Sequence, residues 1–395
     1  MENEGKGFWV SPYNITGGPK KLRFYDTTLR DGEQTVGLSF SKEAKLEIAK
    51  TLDELGVERI EAGMPIVSTE DKKAVELILA AGLRAEIWGF CRCRREDIDA
   101  CLEVGVNRVV IEAPTSPFKM KAYDFSQERI LGMMRENLLY AKSRGLYTAF
   151  FAVDASRSEL KFLEQVYQQA VVDGRADEVV VVDTLGVANP EAMAFLVERV
   201  KSWVDVPVMV HCHNDFGLAS ACTLAAIKAG AEWAHVTING LGEKTGNTDI
   251  AELAVAAKLL YGYEIDVRLD KLYGAARKLE RISGIPLSPL KPVVGANVFK
   301  RESGVVVSQL VKYPPAVEGY SPELVGRGRE VILGKMSGRG SVEYMLDKLR
   351  IKGAFDRVDE IVADLKNLAL EKRGPVSQKE FRALVKAVME RHGSE

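Results

Sequence analysis

Between Leu22 and Asn239 the chain repeats one unit eight times: a short β-branched apolar run, a polar break, then a helix-period segment. The runs are Leu22–Thr28, Arg59–Met64, Ala85–Cys91, Arg108–Ala113, Tyr147–Val153, Glu178–Asp183, Pro207–His213 and Trp233–Asn239. Between them lie segments such as Lys42–Leu55, Ile130–Ser143, Glu191–Trp203 and Gly217–Ala229, whose apolar residues recur with helical spacing. Gly56, Gly82, Gly105, Gly145 and Gly230 stand at helix ends, where a left-handed residue closes the last turn. Eight such units over about 240 residues predict an α/β fold of the (β/α)8 TIM-barrel type. A doubly wound open sheet is the alternative, but it calls for a Gly-rich phosphate loop after the first strand, which this sequence lacks.

The rhythm stops near Tyr263. Three segments are therefore expected: a loosely docked N-terminal tail (1–20), the catalytic barrel (21–263), and a smaller, mainly helical C-terminal linker or lid module (264–395). In the last, helical patterns at Leu269–Ser283 and Ser341–Leu349 flank a loop-rich middle, and a further helix follows Val376.

Charge narrows the partners. The 54 basic and 56 acidic residues leave a net charge of −2, which gives no electrostatic reason to expect nucleic acid or an anionic membrane. The polar N-terminus has no apolar core of a signal peptide, and Thr148–Val153 and Val179–Val182 are too short to span a bilayer. Five cysteines in 395 residues suggest a reducing compartment, so a cytoplasmic location is expected. Cys91 and Cys93, with one residue between them on a strand, have poor spacing for zinc and read as small core or pocket residues.

Barrel active sites sit at the C-terminal ends of the strands. There the first strand places Arg30-Asp31, a cation for a carboxylate beside a hard oxygen ligand. The seventh places His211 and His213 on one face, half of a divalent-metal site. The second and sixth put Glu61 and Asp183-Thr184 at the mouth, and the eighth is followed by a Gly-rich turn ending in Asn247. Each piece alone also reads blandly: as a surface turn, a cap or a strand-end ion pair, or, for His211 and His213, as two satisfied core histidines.

Together, in chain order, they resemble a known family. The segments are Leu29-Arg30-Asp31-Gly32-Glu33-Gln34, Glu61-x-Gly63-x-Pro65, Asp183-Thr184-x-Gly186, His211-x-His213-Asn214-Asp215-x-Gly217 and Gly240-x-Gly242-Glu243-x-x-Gly246-Asn247. They are similar to the pyruvate carboxyltransferase-like barrels, or DRE-TIM metallolyases, on the branch of homocitrate, isopropylmalate and citramalate synthases. The hydroxymethylglutaryl-CoA lyase branch is less similar: its catalytic Cys after strand eight has no counterpart in Gly240–Asn247.

The resemblance implies a divalent ion (Mn, Mg, Zn, Co or Fe) on Asp31, His211 and His213, with Asn247 as a further contact. It implies that Arg30 binds and polarises the 2-oxo acid, that Gln34 and Glu61 line or support the pocket, and that Thr184 holds the substrate carboxylate. Arg157, in Asp154-Ala155-Ser156-Arg157, matches a strand-five motif near the pocket. The implied reaction is a Claisen-type condensation of an acyl-CoA, acetyl-CoA being the family's usual donor, with a 2-oxo acid. A metal-dependent carbon–carbon lyase and a non-catalytic binding protein are the alternatives. A homodimer is implied, and the chain length leads us to expect no separate feedback domain.

One departure stands out. The family's C-terminal module carries a catalytic His in a His-Lys-x-Gly-Ile-His segment; here Arg301-Glu302-Ser303-Gly304-Val305-Val306 occupies that stretch. The family's Leu-Gly-Lys-His-Ser-Gly appears as Leu333-Gly334-Lys335-Met336-Ser337-Gly338. The chain has only four histidines, and after His235, which reads as a packed barrel residue, the sole one is His392. Glu302, Glu318, Tyr313 and Tyr320 are available as substitutes, and the sequence does not choose among them. Lys119 and Lys121, with Arg327 and Arg329, are weaker candidates for meeting an anion.

Overall fold

The computed structural model describes residues 7–16 and 20–392. The expected barrel is present. Eight strands close in the order β1-β2-β3-β4-β5-β6-β7-β8, every pairing parallel. They are β1 (Arg23–Asp26), β2 (Arg59–Glu61), β3 (Glu86–Arg92), β4 (Arg108–Pro114), β5 (Tyr147–Val153), β6 (Glu178–Asp183), β7 (Val208–Cys212) and β8 (Trp233–Val236). Closure is made by β1 on β8, with Arg23 opposite Trp233 and Asp26 opposite Val236.

Helices follow from the pattern already described. Lys42–Leu55 starts at Ser41, whose side chain accepts the Ala44 amide, and buries Ile48, Ala49, Leu52 and Leu55 on one stripe. It ends at Gly56, with φ +89°, where a Cβ would stand 2.5 Å from the Asp266 carbonyl oxygen. A side chain is thus excluded there by both backbone conformation and contact.

The barrel interior is layered by inward side chains: Tyr25, Trp88, Phe90, Val110, Ala149, Phe151, Val180, Val182, Met209 and Trp233 form one buried cluster. Lower in the barrel Arg59 is buried. Its guanidinium meets Glu178 through two bonds of 2.7 and 2.9 Å and lies 3.5 Å from the Trp233 ring centroid. Tyr147 donates to the same Glu178 at 2.8 Å, and the part-exposed Glu86 takes the Arg59 Nε at 2.9 Å.

The first compact unit runs over 13–287 and so extends past the expected boundary after residue 263. The reason is the helix Leu272–Ser283. Its buried stripe of Leu272, Ala275, Ala276 and Leu279 packs within the barrel unit, and its Ala276 carbonyl accepts the Asn239 amide at 3.0 Å.

The second unit comprises residues 1–12 and 288–395. It is mainly helical: Gly304–Lys312, Arg339–Lys348, Val358–Lys372 and Gln378–His392. Val342, Leu346, Ile361, Leu365, Phe381 and Val388 are at its core. Part of the expected N-terminal tail is docked in this unit, because Phe8 bridges Tyr320 and the Trp9 amide donates to the Gly319 carbonyl at 2.7 Å. Residues 13–16 and 20 of that tail fall in the barrel unit, and those at 1–6 and 17–19 lie outside the described residues.

Removing one side of a buried ion pair strands the other charge, at a cost of about 3–5 kcal/mol. Glu178→Ala should lower unfolding free energy by about 3 kcal/mol, the low end because Glu86 still holds Arg59. Urea denaturation followed by tryptophan fluorescence checks this; an unchanged midpoint would refute the role given to Glu178.

Candidate metal centre at the barrel mouth

The C-terminal strand ends bring Asp31, His211 and His213 together, buried to 2%, 1% and 5% exposure. His211 comes from β7 and His213 from the residue just beyond it, in register for one face. Their Nε2 atoms are 3.3 Å apart, and Asp31 Oδ2 stands 3.6 and 3.8 Å from them. The three groups can each offer a ligand atom, all within 4.8 Å of one another.

The electrostatics suit a cation. Burial opposes the charge on Asp31, yet the Arg30 guanidinium and then the two imidazoles hold its carboxyl well below the usual carboxylate range. Burial keeps His211 and His213 below the ordinary imidazole value, so both are neutral near pH 7. Two neutral imidazoles and one carboxylate, with no cation among them, form a hard-to-borderline donor set for a divalent metal. Asn247 adds to it. Its Nδ2 donates to Asp31 Oδ1 at 2.9 Å and to the Leu241 carbonyl at 3.1 Å, while its buried Oδ1 has no partner among the described residues. A backbone bridge from His213 to Asn247 fixes that side chain beside the histidines. Gly242 leaves room for it: a Cβ there would collide with Asn247 Nδ2 and stand 3.0 Å from Asp31 Oδ1.

Arg30 is buried next to this set. Its Nη1 donates to Asp31 Oδ2 at 2.7 Å, its Nε to Glu61 Oε1, and its Nη2 has no partner among the described residues. Burial favours loss of the Arg30 proton, but Glu61 first and then Asp31 keep the guanidinium charged. Tyr25 in turn donates to Glu61 Oε2 at 2.9 Å. Phe90 and Phe151 face the guanidinium, with ring centroids 4.2 and 5.8 Å from Cζ.

Gln34 is exposed and lines, with Arg30, Glu33, Met64 and Asp71, a cavity of about 330 Å³. Thr184 stands half-buried at the end of β6, and its Oγ1 accepts the Asp154 amide at 2.8 Å, leaving its own proton to donate. Arg157 is tied to Asp154 by bonds of 2.6–3.1 Å and lies 4.4 Å from the Phe118 ring centroid. Arg157 and Thr184 thus share Asp154 as a partner. No hydrogen bond or ion pair joins either to Asp31, His211 or His213 among the described residues.

His235 is packed, as its phase suggests: it stacks on Tyr25 at 4.2 Å, with both ring nitrogens unpartnered among the described residues. In the second unit Glu318 is held by Arg329 at 2.8–3.1 Å, and Glu302 accepts the Met336 amide at 2.9 Å. Tyr320 packs edge-on against Phe299. The side chain of His392 lies outside the described residues. Sequence reading passed over Glu112. Its only signal is phase: it stands two residues beyond the inward Val110 on β4.

The comparisons agree with this geometry. The profile described as HMGL-like matches residues 21–278, and that described as homocitrate synthase post-HMGL domain-like matches 293–373. The chain belongs to the HMGL-like family. This HMGL-like protein is 42% identical to a homocitrate synthase of Methanopyrus kandleri, over 95% of this chain and 94% of that one. It is 43% identical to an (R)-citramalate synthase of Methanocaldococcus jannaschii, over 87% of this chain and 70% of that one. These relatives place it on the synthase branch. Among solved structures, the HMG-CoA lyase of Bacillus subtilis superposes with a TM-score of 0.62 at 20% identity, over 70% of this chain and 97% of that one, which shows the shared barrel.

Asp31→Asn should abolish stoichiometric Mn²⁺ binding measured by calorimetry, because it removes the anionic ligand. In the unaltered protein, Mn²⁺ affinity should fall with acid, with a midpoint below the ordinary imidazole value of about 6.5. Burial holds both rings below that value, so proton competition for their nitrogens sets in at lower pH than for ordinary imidazoles. Affinity already halved at pH 6.5 would contradict this.

Proposed function

We propose that this HMGL-like protein is a divalent-metal-dependent acyltransferase that condenses an acyl-CoA, acetyl-CoA in the first instance, with a 2-oxo acid. The products are a 2-hydroxy di- or tricarboxylate and CoA. The observation that carries this reading is the buried Arg30–Asp31–His211–His213 group in a chain 42% identical, over 95% of its length, to a protein named homocitrate synthase.

Asp31, His211 and His213 would hold the metal, with the Asn247 carbonyl oxygen as a further ligand. A bound divalent ion supplies Lewis acidity to an oxo acid that chelates it. The chain's own residues supply the rest. Arg30 Nη2 is a buried donor free for the oxygen on which charge develops when the new carbon–carbon bond forms. Glu61 and Asp31 hold the guanidinium in place, so little reorganisation is needed at that moment. The Thr184 hydroxyl is a donor for a substrate carboxylate, Gln34 lines the cavity beside Arg30, and Arg157 secures the Asp154 backbone on which Thr184 rests.

The reading extends to a homodimer in a cytoplasmic, reducing setting. All five cysteines are free, including Cys91 and Cys101 with sulfurs 3.5 Å apart, and no helix of the described residues is long and apolar enough to cross a membrane. Sedimentation at the mass of one chain would refute the dimer.

The experiment is thiol release from acetyl-CoA and other acyl-CoAs across a panel of 2-oxo acids, with Mn²⁺ or Mg²⁺. Release should depend on one oxo acid and vanish in Asp31→Ala. Arg30→Gln should lower kcat by about 10²–10³-fold, the usual loss for one oxyanion donor. No release with any pair, from folded and metal-loaded protein, would overturn the reading.

A further inference from the structure

The condensation needs a group that takes a hydrogen from the carbon beside the thioester. The imidazoles of the barrel are otherwise placed: His211 and His213 face Asp31, and His235 is sealed beneath Tyr25. Most carboxyls around the mouth are committed too. Glu61 accepts from Tyr25 and Arg30, Asp154 from Arg157 and Ser116, and Asp183 from Ser156 and two backbone amides. Asp26 has no exposed surface.

Glu112 differs from all of these. It lies near the C-terminal end of β4, on the same face as the inward Val110. It is half-buried, and among the described residues no hydrogen bond or salt bridge reaches its carboxyl. Its register partner on β5 is Phe151, whose ring faces the Arg30 guanidinium. It also borders a cavity of about 230 Å³, together with Arg94, Tyr123, Phe125, Arg129 and Val153. A carboxyl that is largely desolvated, unpartnered, near the cation of the site and open to a cavity is an unusual thing to keep for structure alone.

We propose that Glu112 is the proton-transfer group of the condensation, a role that rests on the acyltransferase reading above. Its carboxylate takes the α-hydrogen of the acyl-CoA. The C–H pair becomes the enolate, whose carbon bonds to the oxo carbon. The carbonyl π pair moves onto oxygen beside Arg30, and Glu112 returns its proton to that alkoxide. Water then adds to the thioester carbonyl, and CoA leaves as the thiol with one of the water protons.

The surroundings tune the group for this work. Burial pushes the Glu112 carboxyl up to about 7, against the pull of Arg30 on β1, Lys119 on the following helix and Arg92 on β3, while Asp97 beside Arg92 adds to the rise. A base of that strength is well matched to neutral pH. The base form accumulates as pH rises through that value, so the proton-abstraction rate should climb and level off above it.

The test is exchange of acyl-CoA α-hydrogens into D2O in the presence of each oxo acid of the panel, read by mass spectrometry beside thiol release. In the unaltered protein, exchange should rise with pH through about 7. Glu112→Gln keeps size and removes the base: exchange and kcat should fall by about 10²–10⁴-fold and the pH limb should disappear. Oxo-acid affinity, measured by calorimetry, should stay within about threefold, and Glu112→Asp should regain part of the rate. A structural role would instead weaken binding and rate together. Exchange that persists in Glu112→Gln with its pH limb intact, or no exchange in the unaltered protein, overturns the assignment. Exchange that depends on Glu112 without thiol release from any pair would overturn the condensation while upholding Glu112 as the base.

Discussion

A guanidinium kept charged inside the barrel mouth is the constraint on which the rest of this site hangs. Taking Arg30 out of water costs several kcal/mol unless its charge is matched closely. The match comes from separate strands: Asp31 follows β1, Glu61 ends β2, and the aromatic faces of Phe90 and Phe151 come from β3 and β5. Each partner therefore has two duties. Asp31 offsets the arginine and turns its other lone pairs toward the histidines; Glu61 fixes the guanidinium while Tyr25 fixes Glu61. Leaving the Arg30 Nη2 group without a partner among the described residues, in so tightly matched a setting, is the chemical opening of the site.

Much of this was legible in the residues. The eight apolar runs were visible because buried parallel strands need continuous β-branched sequence, and β5 and β6 fall on the same residues in the structure. Asp31, His211 and His213 were legible because strand ends and period-two spacing place them at one mouth. The helix Leu272–Ser283 was placed with the wrong neighbours because an amphipathic stripe says that a helix packs, not against what. Arg157 was expected near the pocket; its charge is taken up by Asp154, three residues back, a local contact that a motif does not reveal. Glu112 was invisible because one acidic residue in an apolar strand has no spacing to announce it; only burial, missing partners and neighbours set it apart.

In the C-terminal unit the segments expected to carry imidazoles hold none. Of the residues at those positions Met336 is exposed, at 63%, and Arg301 and Val306 are half-buried. The segments that carry them remain laced together: the Gly304 amide donates to the Met336 carbonyl, and Glu302 accepts the Met336 amide. Gly304 and Gly338 pack so closely that a Cβ on the first would stand 2.5 Å from the second. The contact between these segments is thus made by backbone and glycine and does not depend on the side chain at 336.

Asp31 follows the first strand of the barrel and Asn247 follows the last, and these two strands are neighbours only because the sheet closes on itself. The Asp31–Asn247 pair therefore straddles the seam of the cylinder, joining residues more than 200 positions apart. Such a site has no partial version. A chain still emerging from the ribosome, with β8 not yet made, presents Asp31 and the two histidines without the strand that brings Asn247 beside them, so the group is complete only when the ring is. The Asn247–Asp31 bond is then a clasp across the last joint to form.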